Sequence, residues 1–121
     1  MHRWYNEQLA SFIATLARTP DFDGNSLLDN TLIVVWSEVR LGIHTFDGVP
    51  IQLFGGAGGR LRGGRRLVYD HRSTNDLWLA IANTLGHPMA CFGDAERCAG
   101  PLPDLFAPPL AGRASPLADP G

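Results

Sequence analysis

Thr31-Leu32-Ile33-Val34-Val35-Trp36-Ser37-Glu38 is the stretch on which the fold class turns. From Thr31 to Trp36 the side chains are β-branched, aliphatic or aromatic, with no polar residue alternating among them. Such a run predicts a strand buried on both faces, the habit of a central parallel strand in an α/β sheet. It stops at Ser37-Glu38. Polar residues at the carboxyl end of such a strand lie where open α/β sheets bind ligands.

Upstream, Trp4, Tyr5, Leu9, Phe12, Ile13 and Leu16 recur near a 3–4 spacing and predict a helix from residue 2. Thr19-Pro20 ends it, because the residue before proline resists the α region. Residues 21–30 read as a polar loop. Downstream, residues 39–49 form a loop holding Gly42, His44, Asp47 and Gly48, and Pro50–Phe54 is a second short strand. Residues 55–64 are glycine-rich, and Arg65–Tyr69 reads as a third strand at an edge. Ser73 caps a helix running through Leu85, with Asp76 as its capping-box partner and Gly86 as the C-cap. Its apolar face is read as Leu77, Trp78, Ile81 and Leu85.

Six of the nine prolines fall in the last 23 residues, which should wrap over a surface or stay disordered. The order of elements predicts an α/β protein with a partial mixed β-sheet and flanking helices. One domain is expected over residues 1–106, followed by a Pro-rich, disordered tail over 107–121. A layer of three strands leaves one face uncovered. The expectation is therefore a fragment of a larger α/β domain, its sheet covered by a missing amino-terminal half or by a partner chain.

The 121 residues are 45% hydrophobic and 18% charged, the balance of a globular chain. A net charge of −2 argues against a general nucleic-acid binder. No apolar run approaches the roughly 18 residues of a membrane span. Two cysteines, Cys91 and Cys98, are too few for a disulfide framework or a four-thiolate zinc site. In an exported protein they can form a local disulfide, and in a reducing compartment they are free thiols.

Three groups of residues can carry chemistry. Glu38 at the end of the strand and His44 in the following loop can converge above the sheet edge, and a carboxylate with an imidazole suits zinc or another divalent metal. Asp47 can orient His44 through its second ring nitrogen. The plainer reading makes Glu38 a solvated strand end, His44 a loop residue and Asp47 a turn residue before Gly48. The glycine run at 55–64, with Arg60, Arg62, Arg65 and Arg66, can hold an anion through backbone amides and guanidinium groups. It matches neither a Walker A loop nor a dinucleotide fingerprint, and a glycine-rich connecting loop with solvated arginines is the simpler alternative. Spacing also permits a Ser37, His44 and Asp47 triad, though no nucleophile-elbow motif supports one.

Taken together, Leu27–Glu38, then Gly42-Ile43-His44-Thr45-Phe46-Asp47-Gly48-Val49-Pro50 running into Gly55-Gly56, resemble the carboxyl-terminal part of the HXXSHH family (domain of unknown function 1552). Tyr69-Asp70-His71, Asn75–Leu79, Phe92-Gly93-Asp94 and Cys98–Leu102 fit the same pattern, so the resemblance covers about residues 2–106. That family is similar to the alkaline phosphatase and sulfatase superfamily. The resemblance implies an alkaline-phosphatase-like fold, with Glu38 where strand-end metal ligands stand and His44 where a later zinc ligand stands. Glu38 takes the place of an Asp-His pair. The family's naming motif, the superfamily's nucleophile and its first metal-binding segment belong to the amino-terminal half, so this segment is expected to be inactive alone. Family members commonly carry a twin-arginine export signal, which implies an exported protein. The competing expectations are a non-catalytic module binding anions or a partner through residues 55–72, and a gene fragment with no selected function.

Overall fold

The computed structural model describes residues 2–38 and 48–108. They fall into two compact units, Met1–Gly59 and Arg60–Gly121.

The first unit opens with α1, His2–Arg18. Leu9, Ile13 and Leu16 are half-buried, whereas Trp4, Tyr5 and Phe12 on the predicted apolar face stay more than half exposed. Trp4 and Tyr5 meet edge to face, 5.1 Å between ring centres. The helix ends where the sequence predicts. Thr19 turns both its amide and its hydroxyl back to the Thr15 carbonyl, at 3.1 and 2.8 Å, and Pro20 cannot continue the ladder.

Residues 21–30, read as a loop, contain a short helix, α2, Leu27–Asn30. The reason is a capping box. The Asp29 amide donates to the Ser26 hydroxyl oxygen, and the Ser26 amide donates back to the Asp29 carboxylate at 2.9 Å. The Ser26 hydroxyl and then its amide hold the Asp29 carboxyl below the ordinary aspartate range. The Ser-x-x-Asp spacing was visible in the sequence and is the signal that marks this helix.

The strand predicted over 31–36 is shorter and differently paired. β1, Ile33–Val35, runs antiparallel to β2, Gln52–Phe54, with Val34 opposite Leu53. Parallel pairing needs a crossover connection, usually helical, whereas antiparallel pairing needs only a reversal. β1 is half-buried throughout. The expectation of a central parallel strand buried on both faces is corrected accordingly. The described sheet has two strands, and Arg65–Tyr69 forms no strand, with Leu67 and Val68 exposed.

The chain after β2 closes against α2. The amides of Gly56, Ala57 and Gly58 donate to the carbonyls of Leu28, Thr31 and Asp29 at 2.9, 3.1 and 2.9 Å. The approach is too close for side chains: a Cβ on Gly55 would run into the Thr31 carbonyl oxygen, and one on Gly56 into that of Asp29. Gly55 also sits at φ +93°, a region L-residues avoid. Among the described residues of this unit Ala57 is the buried hydrophobic one, at 7% exposure.

The second unit is built on α3, Thr74–Thr84. Ser73 caps it as predicted, accepting from the Asn75 amide at 3.0 Å. Asp76 turns inward while its carboxylate still takes the Ser73 amide, its half of the predicted capping box; the Ser73 hydroxyl accepts from Asn75 rather than from Asp76. At the other end Gly86 takes φ +86°, and the Gly86 and His87 amides donate to the Asn83 and Ala82 carbonyls, a Schellman closure. The buried face is Asp76, Leu77, Leu79 and Ala80; of the predicted set Leu77 belongs to it. Leu79 is fully buried, Trp78 and Ile81 are half-buried, and Leu85 is exposed. The returning segment adds the buried Leu105 and pairs Leu61 with Phe106.

Two glycine substitutions test the α2 closure. Gly56→Ala is expected to lower stability by about 2 kcal/mol or more, because backbone must move to admit the Cβ. Gly63→Ala, which would meet no heavy atom within 4 Å, should stay within about 0.5 kcal/mol of the parent. Urea unfolding of both variants makes the comparison.

Candidate functional site

Glu38 lies three residues beyond the end of β1 and is exposed. His44 and Asp47 lie outside the described residues, so the structure reports one member of the predicted metal group. Among the described residues, no cluster of three or more His, Cys, Asp or Glu side chains is placed to hold a metal ion. Glu38 by itself is one carboxylate, short of the three protein ligands of a catalytic zinc site. The described part therefore offers a single donor, and a complete set would need residues beyond it.

Several of the glycine and arginine groups of residues 55–72 have definite partners. The amides of Gly56, Ala57 and Gly58 face the α2 carbonyls rather than open space. In the second unit the Arg60 guanidinium donates to the Ala107 carbonyl at 2.8 Å and to the Thr84 carbonyl, at the end of α3, at 3.4 Å. Arg65 donates to the carbonyls of Arg62, Asp104 and Leu105, at 3.0, 2.8 and 3.2 Å. Arg62 itself is exposed. The Tyr69 hydroxyl donates to the Pro103 carbonyl at 2.6 Å, and burial, then the nearby Asp104, push its pKa up. Guanidinium forks that the sequence offers to an anion thus hold the returning segment in place. An open cleft of about 360 Å³ lies along this seam, with Arg60, Asn83, Thr84, Asp104 and Phe106 in its walls.

Asp76, read only as a capping residue, is the polar centre of the unit. It is completely buried. Its carboxylate accepts from the Arg72 guanidinium at 2.6 Å and from the Ala99 amide at 2.8 Å. Its own carbonyl accepts from the Leu102 amide at 3.2 Å. Arg72 also reaches the Gly100 carbonyl at 2.6 Å and that of Pro101 at 3.3 Å. Burial alone would raise the Asp76 pKa, but the Arg72 and Ala99 hydrogen bonds outweigh it, and the net shift is downward. The signal in the sequence was the Arg72/Asp76 spacing of four, which brings Arg72, just before the Ser73 cap, to the first turn of α3.

Cys91 and Cys98 are both free thiols and half-exposed. No described helix is long and apolar enough to cross a membrane. Comparison with protein-family models, with curated proteins and with solved structures finds no match to this chain.

Removing one partner of a buried ion pair strands the other, so Asp76→Ala is expected to cost about 3 kcal/mol or more in urea unfolding. The pH dependence follows from the lowered pKa. The pair stabilises fully above the ordinary aspartate value of 3.8 and is lost as pH falls through the depressed folded value. Stability of the parent should fall more steeply below pH 4 than that of Asp76→Asn, measured by urea midpoints across a pH series.

Proposed function

We propose that this chain supplies part of a divalent-metal, hydrolase-like site of the alkaline phosphatase and sulfatase type. Glu38 and His44 act as ligands, and Asp47 orients the His44 ring. The nucleophile and the remaining ligands come from another segment or chain, which also covers the sheet face, and the chain alone is inactive. The reading rests on the resemblance to the HXXSHH family and on one observation. Glu38 is exposed just beyond β1, a strand held in register by β2, on a unit that the Gly55–Gly58 closure fastens to α2. That leaves a carboxylate exposed just past the carboxyl end of β1.

A divalent ion bound there would polarise a phosphate or sulfate oxygen as a Lewis acid. This chain's residues would hold and orient it. The alternative, an anion-binding module using residues 55–72, has less support, because the amides of Gly56, Ala57 and Gly58 and the guanidinium groups of Arg60, Arg65 and Arg72 already meet carbonyls or carboxylate.

The test is calorimetric titration of the purified chain with Zn²⁺ and with Mn²⁺. Binding weakened about tenfold or more by both His44→Ala and Glu38→Ala is the expected result. Binding indifferent to both changes, or none at all, overturns the half-site. Phosphate- or sulfate-ester turnover by the chain alone, abolished by His44→Ala, would overturn its inactivity instead.

A further inference from the structure

The run Arg65-Arg66-Leu67-Val68-Tyr69 has strand-forming residues and pairs with no strand. Among the described residues, no backbone amide or carbonyl of residues 66–70 is hydrogen-bonded to another backbone group. None of these residues has a positive φ, and His71, at φ +55°, turns the chain away at the end of the run.

Side chains hold the run from one face. The Arg65 guanidinium donates to the Asp104 and Leu105 carbonyls at 2.8 and 3.2 Å, and the Tyr69 hydroxyl donates to the Pro103 carbonyl at 2.6 Å. In an extended chain alternate residues share a face. Leu67 therefore lies with Arg65 and Tyr69, and Arg66, Val68 and Asp70 lie on the other side. The exposures agree. Val68 is 68% exposed against 38% for Leu67, and Arg66 and Asp70 are both exposed. Neither of these two charges has an ion-pair partner among the described residues.

We propose that residues 66–70 are an interaction edge at which a second copy of this chain pairs antiparallel about Val68, giving a symmetric dimer. The segment is its own complement in that register. Arg66 faces the partner's Asp70, Val68 faces the partner's Val68, and Asp70 faces the partner's Arg66, all on the outer face. Leu67 meets the partner's Tyr69 on the inner one. The unpaired amides and carbonyls gain a ladder, as in β-strand addition. Opposite charges directly across an antiparallel ladder stabilise it, and like charges destabilise it. Parallel pairing in register would set Arg66 against Arg66 and Asp70 against Asp70. A slip by one side-chain repeat would set a charge against Val68. Charges on an exposed edge ordinarily keep it from pairing, and here their spacing leaves one partner and one register open. The two-fold operation uses the same edge on both copies, so the assembly closes at the dimer.

The experiment is sedimentation of the full chain under reducing conditions, in a concentration series up to about 1 mM. The parent should pass from monomer to dimer, and hydrogen exchange over residues 66–70 should slow as it does. Arg66→Asp and Asp70→Arg should each raise the dissociation constant about tenfold or more, because each sets like charges across both ends of the ladder. Mixed in equal amounts, the two variants should regain the parent's association, since every charge then meets its opposite. At concentrations where the parent is a monomer, both variants should keep its urea midpoint. A parent that stays monomeric throughout, a dimer indifferent to both substitutions, or a mixture that fails to associate would overturn the proposal. Loss of the monomer's fold in either variant would overturn it too, because the two charges would then not be spare.

Discussion

A helix leaves its last four carbonyls without partners inside the helix. α2 has four residues, so nearly its whole backbone is in that position. The chain answers with Gly56, Ala57 and Gly58, whose amides reach the Leu28, Thr31 and Asp29 carbonyls. Glycine at 55 and 56 is what lets the strand come so close. The closure joins the segment before β1 to the segment after β2 and so fixes the Ile33/Phe54 end of the pair. Glu38 lies past the other end, where Val35 faces Gln52.

The second unit meets the same demand with side chains. The segment from 99 to 107 runs as irregular chain, and irregular backbone needs partners that regular structure would supply. Arg60, Arg65, Arg72 and Tyr69 provide them, each donating to carbonyls some 28 to 47 residues away. Arginine suits the task because its planar fork can serve two or three acceptors at once and never loses its charge. A chain whose basic residues are all arginine can therefore bind its own backbone where a sequence reader expects phosphate.

Where the sequence was legible, a local signal was unopposed. Thr19-Pro20, Ser73 and Gly86 ended or capped helices where their chemistry says they should. The Thr31–Trp36 run gave a strand but neither its length nor its partner, since an apolar run carries no information on direction. Arg65–Tyr69 has strand-forming residues, yet its polar groups are drawn to the returning chain and Val68 is left outside. The α3 face was misplaced because periodicity counts apolar residues only. Asp76 was read only as a capping partner, and its ion pair brings it into the buried face. Of the candidate site, the strand-end position of Glu38 was readable from the end of the apolar run. The partners of the loop amides and arginines were not, because they lie far away in sequence.

Asp76 also explains why the loop holding the two cysteines is ordered at all. The loop contributes no residue to the buried hydrophobic set. Hydrophobic burial therefore does not hold it, and polar contacts at its carboxyl end do: the Ala99 amide on the Asp76 carboxylate and the Gly100 carbonyl on Arg72. A carboxylate buried to this degree is tolerable only while its bonds are complete. Loss of the loop would leave the Ala99 bond unmade, so the buried charge penalises every opening of the segment that follows Cys98. Weakening the ion pair at the foot of α3 should therefore loosen the stretch from Ala99 to Pro101.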